Sequence, residues 1–236
     1  MSAGPAIAGR ERPVGSAVLA SSVVVGNPAD QRHDRHKEHT AMTTRTLSVL
    51  RTHDDREIPV AGEYAIDPAH TSVEFIGRHL MITKVRGRFP EVSGTITIDD
   101  EPERSHVEVE LNVTSLDTGN PDRDGHLRST DFFDSDAYPT ITFRSTNVEP
   151  GTSGTWAVTG DLTVRDVTRP VTLQVDFDGA NASPIGDERI AFSAATDVDR
   201  EDWGLSWNVA LETGGMLVGK KVRIELNVQA VATASP

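Results

Sequence analysis

Residues 106–113 alternate without a break. Val107, Val109, Leu111 and Val113 fall on one side of an extended chain, and His106, Glu108, Glu110 and Asn112 on the other. Successive side chains of a strand point to opposite faces, so this period of two belongs to a half-buried antiparallel strand. It returns in Trp156, Val158, Leu162 and Val164, and again in Val171, Leu173, Val175 and Phe177. Ile190, Phe192, Ala194 and Val198 form another such face, as do Val222, Ile224, Leu226 and Val228. Shorter versions are Val73 with Phe75, Ile96 with Ile98, and Ile141 with Phe143. Turn signals such as Asp99-Asp100, Glu149-Pro150-Gly151, Asp178-Gly179 and Ser183-Pro184 separate the runs. About eight short strands, each with one apolar face, predict an all-β barrel or sandwich and not an α/β fold. Residues 122–130 depart from the rhythm. Asn120-Pro121-Asp122 precedes them, acids fill the first turn, and His126, Leu127 and Arg128 follow, which predicts one short helix in a long connection.

The apolar share, 36 % of 236 residues, suits one domain and is lean for two. All twelve aromatic residues lie at or after Tyr64. The expected organisation is therefore a disordered tail over 1–61, a domain over 62–232 and a short C-terminal tail over 233–236. Within the first tail, residues 18–25 are apolar and follow Arg10 and Arg12, but Ser21 and Ser22 interrupt them. A cytoplasmic location is expected, with secretion as the alternative should that stretch act as an export signal. Met42 offers an alternative start that would omit the residues before it.

The formal charge is −13. The tail holds eight Lys/Arg against seven Asp/Glu, so the acidity belongs to the domain, which is net −14. That sign speaks against nucleic acid, and against an anionic membrane surface held by long-range attraction, as a partner. Cysteine is absent, which excludes disulfides, thiolate nucleophiles and thiolate-bound metals. No apolar run approaches the roughly 20 residues that span a bilayer as a helix, so stable membrane insertion is not expected.

Local motifs carry little chemistry. Gly214 to Gly219-Lys220 has phosphate-loop spacing, but Lys221 stands where Ser or Thr belongs and a strand follows, so a hairpin is expected. His33, His36 and His39 repeat every three residues in the polar tail. His70, His79, His106 and His126 show no ligand spacing, so no metal site is expected. Asp124 and His126 lack an evident nucleophile. Lys84, Arg86 and Arg88 share a strand face, with Arg78 and Lys220-Lys221 as companions, and suit either a guarded edge strand or a head-group site. Gly160, Ala194 and Thr196 interrupt bulky rows, which would leave volume inside a barrel.

Several blocks are specific when taken in order. The chain contains Asp67-x-x-His70-Thr71-Ser72-x-x-Phe75 with His79, then Val85-Arg86-Gly87-x-Phe89 and Ser93-Gly94. Ser115-x-Asp117-Thr118-Gly119, Arg123-Asp124-x-His126-Leu127 and Asp131-Phe132-Phe133-Asp134 come next, followed by Tyr138-Pro139-x-Ile141-x-Phe143. Gly160-x-Leu162-Thr163-Val164, Val167-Thr168-Arg169-Pro170-Val171, Arg200-x-Asp202-Trp203-Gly204 and Val218-Gly219 complete the series. Over residues 62–232 this resembles the YceI-like family of polyisoprenoid-binding proteins. The resemblance implies an eight-stranded antiparallel, lipocalin-like barrel whose apolar tunnel holds an isoprenoid lipid, such as a polyprenyl phosphate or quinone precursor, for storage or transport. It implies no catalytic residues and no cofactor. Val73, Phe75, Val107, Val109, Leu111, Phe143, Trp156, Val158, Phe192, Ile224 and Leu226 are expected to line the tunnel. Phe132, Phe133 and Trp203 are expected near its ends, and His79 and Arg86 at the lipid head group. Arg123, Asp124 and His126 are expected to scaffold a loop. Trp203 stands at the aromatic position of an R-x-D-F-G-like block and Trp207 adds bulk, so the tunnel is expected to be shortened or reshaped. Two rivals remain: an enzyme using His79 or His126 as acid or base in the same cavity, and a filled barrel serving as an interaction module. A homodimer is left open.

Overall fold

The structure, a computed structural model, describes residues 49–183, 186–212 and 215–233. The expectations for residues 18–25, the histidine triplet and Met42 lie outside these residues, as do Pro184, Gly214 and residues 234–236.

Among the described residues, twelve strands and one α-helix follow in chain order. They are β1 (Leu50–His53), β2 (Arg56–Pro59), β3 (Gly62–Ile66), β4 (Ser72–His79), β5 (Thr83–Arg88), β6 (Val92–Ile98), β7 (His106–Asn112) and α1 (Pro121–Arg128). Then come β8 (Thr140–Pro150), β9 (Trp156–Val164), β10 (Val167–Ala182), β11 (Glu188–Asp199) and β12 (Lys221–Ala232).

Closure of the barrel follows from the register. Along β12, Ala232 and Ala230 face Tyr64 and Ile66 of β3, while Asn227 through Arg223 face Ser72 through Ile76 of β4. Thus β3 and β4 are one row with a break in it. The next row is β5 and β6, which pair with β4 and β3 respectively. Each later strand pairs antiparallel with its sequence neighbour, from β7 through β12, and β12 returns to the first row. Eight rows in up-and-down order close on themselves, as expected; the far side of β5 is met by the single bridge of Arg88 to Asp117 rather than by a strand. Register shifts in β8 between Ser145 and Asn147, and in β10 between Phe177 and Gly179, add the local bend that closure needs.

The break in the first row explains the Asp67-x-x-His70 block. Asp67 caps the turn Pro68–His70 by accepting from the Ala69 amide at 3.0 Å. Its other oxygen accepts from Arg189 of β11 at 2.7 Å and lies 2.8 Å from His70 Nδ1. These partners hold the Asp67 carboxyl below its usual range, the Arg189 hydrogen bond being the largest cause.

The tail boundary is corrected. β1 and β2 form a hairpin on the turn Asp54-Asp55, and Ile58 is buried within the main core. Arg51 donates to the carbonyls of Pro59, Asp99 and Asp100, and the Arg56 guanidinium lies 5.7 Å from the Trp156 ring centre. Aromatic content misleads here because one isoleucine, with backbone pairing across a tight turn, is enough to seat a short hairpin. At the other terminus Thr233 donates its amide to the Glu63 carbonyl at 2.9 Å, so the domain runs one residue beyond 232.

The helix lies where proline and the acids predict it, ending at Arg128 rather than Thr130. Asn120 caps it by accepting from the Arg123 amide at 3.0 Å. At the end of the barrel opposite α1, Tyr64, Ile190 and Ala230 are packed to near-complete burial and make a floor. Burial pushes the Tyr64 phenol up to about 12, and its hydroxyl donates to the Val60 carbonyl at 3.0 Å.

Candidate ligand cavity

Above that floor the inner faces enclose a cavity of about 660 Å³. This lies within the range of roughly 300–1,000 Å³ typical of ligand pockets. Its wall is the alternation of the sequence turned inward. Val73 and Phe75 come from β4, Val107, Val109 and Leu111 from β7, Phe143 from β8, Trp156 and Val158 from β9, Phe192 from β11, and Ile224 and Leu226 from β12. Val107, Val109, Phe192, Ile224 and Leu226 face inward yet stay only half-buried, as expected where the interior is not filled by side chains. At the α1 end the cavity is lined by Phe132, Phe133, Trp203 and His79.

Arg86 is the exception and is corrected. It points outward from β5, where its guanidinium donates to Glu74 and Glu225. The reason lies in the same period of two: Val85 and Gly87 face in, so Arg86 between them faces out. The volume expected over Gly160 is also absent. The Phe143 ring occupies it, and Phe75 lies over Gly87 in the same way.

The hairpin residues Ile58 and Pro59 also line the cavity, and nothing in their sequence marked them. Val171, Leu173, Val175 and Phe177 of β10 line it too, and their alternation was legible though it was given no site role. Trp207 and Arg200 join the α1 end; of the Arg200-x-Asp202-Trp203 block the sequence assigns a site role to Trp203 alone, and none to Arg200.

Polar lining groups gather at the ends. Four lining residues are themselves solvent-exposed: Arg78, His79 and Asp122 at the α1 end, and His106 at the other. The α1 end is held by a polar scaffold. Arg123 donates to the Thr118 hydroxyl at 2.7 Å and to its carbonyl at 2.9 Å, while Asp124 accepts from the Thr118 amide at 2.9 Å. His126 lies 3.0 Å from Asp131 Oδ2, with its ring edge-on to Trp207 at 4.5 Å. Among the described residues neither His79 nor His126 is hydrogen-bonded to a serine or threonine hydroxyl. The Trp203 indole donates to the Leu162 carbonyl at 3.0 Å, tying the Arg200–Trp203 turn to β9. Arg200 is 5 % exposed and donates to the carbonyls of Gly219 and Leu205, and burial lowers its pKa. Among the described residues no carboxylate is hydrogen-bonded to it.

Such an interior can take up an apolar molecule, each Å² of apolar surface removed from water contributing about 25 cal/mol. Fold and cavity together define a binding-type antiparallel barrel. Comparison with known proteins agrees. Residues 64–230 match the YceI-like domain, and a UPF0312 protein of Staphylococcus aureus is 33 % identical over 168 residues, covering 70 % of this chain and 95 % of its own. The chain belongs to the YceI-like family. Among solved structures, a Campylobacter jejuni YceI protein is 26 % identical with a TM-score of 0.57, covering 66 % of this chain and 90 % of its own. Burkholderia cenocepacia BcnA shares the fold at 21 % identity and TM-score 0.59, over 70 % of this chain and 98 % of its own. So does a polyisoprenoid binding domain from Saccharophagus degradans, implicated in plant cell wall breakdown, at 16 % identity and TM-score 0.56, over 72 % of this chain and 98 % of its own. Among the described residues no helix is long and apolar enough to cross a membrane.

Proposed function

We propose that this chain binds an isoprenoid lipid of the polyprenyl-phosphate or quinone-precursor type in its cavity and stores or carries it without chemical change. The observation that carries the reading is the wall itself: predominantly aliphatic and aromatic along the barrel, with the solvent-exposed polar lining groups at the ends. A long tail matches that distribution, because its whole length gains from apolar burial while only the head requires polar partners. The Saccharophagus degradans neighbour, a polyisoprenoid binding domain, supports the ligand class. The head group is placed at the α1 end beside His79. The buried Arg200 guanidinium at that end favours an anionic head over a neutral one.

The test is mass spectrometry of organic extracts from the monodisperse protein, run beside Val109→Trp and Leu111→Trp. A stoichiometric isoprenoid in the wild type, lost from variants that remain folded by circular dichroism, is the expected result. Empty extracts, together with no uptake of added polyprenols, overturn the reading.

A further inference from the structure

We infer that the α1-end rim of the barrel docks on an anionic lipid bilayer, so that the cavity opens onto the membrane surface. This rests on the isoprenoid reading for its purpose, but its evidence is separate.

Among the described residues the exposed large apolar side chains are Leu80, Met81, Ile82, Val209 and Met216, and all five gather at this rim. Leu80 to Ile82 are the tip of the β4–β5 hairpin, where Met81 is 54 % and Ile82 79 % exposed. The other two lie some 130 residues later in sequence, yet backbone hydrogen bonds join the segments. The Leu80 amide donates to the Leu217 carbonyl at 2.8 Å, and the Leu217 amide donates to that of Val209 at 2.9 Å. Met216 is bridged to Ala210 in the same loop. Directly beside the patch, His79, Leu217 and Val218 line the cavity, so apolar surface is continuous from the rim inward.

The turn chemistry is unfavourable by itself. Leu80 and Met81 both adopt positive φ, 53° and 60°, between His79 and Ile82, and the Ile82 amide donates to the His79 carbonyl at 3.1 Å. Such a turn favours Asn-Gly. Two bulky apolar residues in the left-handed region are strained and also exposed, and costs of this kind persist where function requires them.

Charge selects the occupant. Arg78 and Lys84 face each other across the hairpin, and Lys221 begins β12 nearby. Among the described residues none of the three has a carboxylate within 4.0 Å. Further from the rim, Arg86 and Arg223 are neutralised by Glu74, Glu225 and Asp197. The acids near the rim include Asp199, opposite Lys221 in the β11–β12 register, Glu201, paired with Lys220 at 2.6 Å, and the exposed Asp202, Glu212 and Asp122. Arg78 and Lys84 flank the apolar tips on the hairpin itself, so at contact distance, inside a Debye length, these two local cations meet anionic head groups although the domain as a whole is net −14.

The test is co-sedimentation of the full chain with phosphatidylglycerol/phosphatidylcholine vesicles. The first variant pairs Leu80→Asn with Met81→Gly, which installs the turn the backbone prefers while removing two apolar tips; the second is Lys84→Glu. Wild type is expected to bind, with the turn variant at least about tenfold weaker despite an unchanged or raised melting temperature. Lys84→Glu is expected to bind more weakly and with less dependence on salt. Geranylgeraniol uptake from solution is measured in parallel and should be the same in all three. Vesicle binding that depends on the tips, without geranylgeraniol uptake, supports docking while removing the isoprenoid reading. Wild type that ignores vesicles, or a turn variant that binds as well as wild type, overturns the proposal. A dimer broken by the turn variant, without vesicle binding, overturns it in favour of a second copy of the chain.

Discussion

The ring of Phe143 on β8 lies so closely over Gly160 on β9 that a β-carbon at Gly160 would stand 2.5 Å from Phe143 Cζ. The same β-carbon would meet the Arg144 carbonyl oxygen at 2.5 Å, and that atom belongs to the backbone and cannot swing away. The glycine thus seats an aromatic wall residue rather than adding to the cavity.

Gly160→Ala should destabilise the barrel by about 1–3 kcal/mol, the usual cost of overpacking a tight site. Thermal denaturation followed by circular dichroism measures it. A variant as stable as wild type would mean that Phe143 does not occupy this space.

Starting the chain at Gly62 removes β1 and β2, and with them Ile58 and Pro59 from the cavity wall. The loss of a buried isoleucine and its hairpin is expected to cost about 2–4 kcal/mol. Trp156, which loses the overlying Arg56, should become more accessible to acrylamide quenching. Equal stability and equal quenching would place the hairpin outside the domain after all.

Asp67 gives a pH dependence with a definite sign. Its carboxyl titrates below the ordinary 3.8 in the folded chain, chiefly through Arg189 and then His70. The stability it contributes is therefore complete above the unfolded value and is lost as pH falls through the lower folded one. Asp67→Asn should lower the melting temperature at pH 7 by the equivalent of about 1 kcal/mol after solvent screening, and the difference should shrink as pH falls below about 4. A difference that persists unchanged at pH 2 would contradict the assignment.

Arg86→Ala removes an outward cation bound to Glu74 and Glu225. Affinity for a polyprenol probe, measured by fluorescence displacement, should stay within about twofold of wild type, since exposed ion pairs contribute little. A large loss would return Arg86 to the binding site.

The inward-facing set was legible from period alone. Val107, Val109 and Leu111, or Trp156 and Val158, can face only one way once an antiparallel strand is granted, and ring closure turns that face into the lumen. The same arithmetic placed Arg86 outside, opposite Val85 and Gly87, although its position in a family-like block suggested a head-group role. What sequence could not decide were relations between distant segments. Gly160 reads as empty space until the register brings Phe143 across it. Ile58 reads as tail until its hairpin folds over the end of the barrel, and Leu80 joins Val209 only through the bonds at Leu217. Local alternation is a property of the chain's own geometry, so it survives in the sequence. Filled volume and shared surface depend on which strands and loops become neighbours, and only the closed barrel determines that.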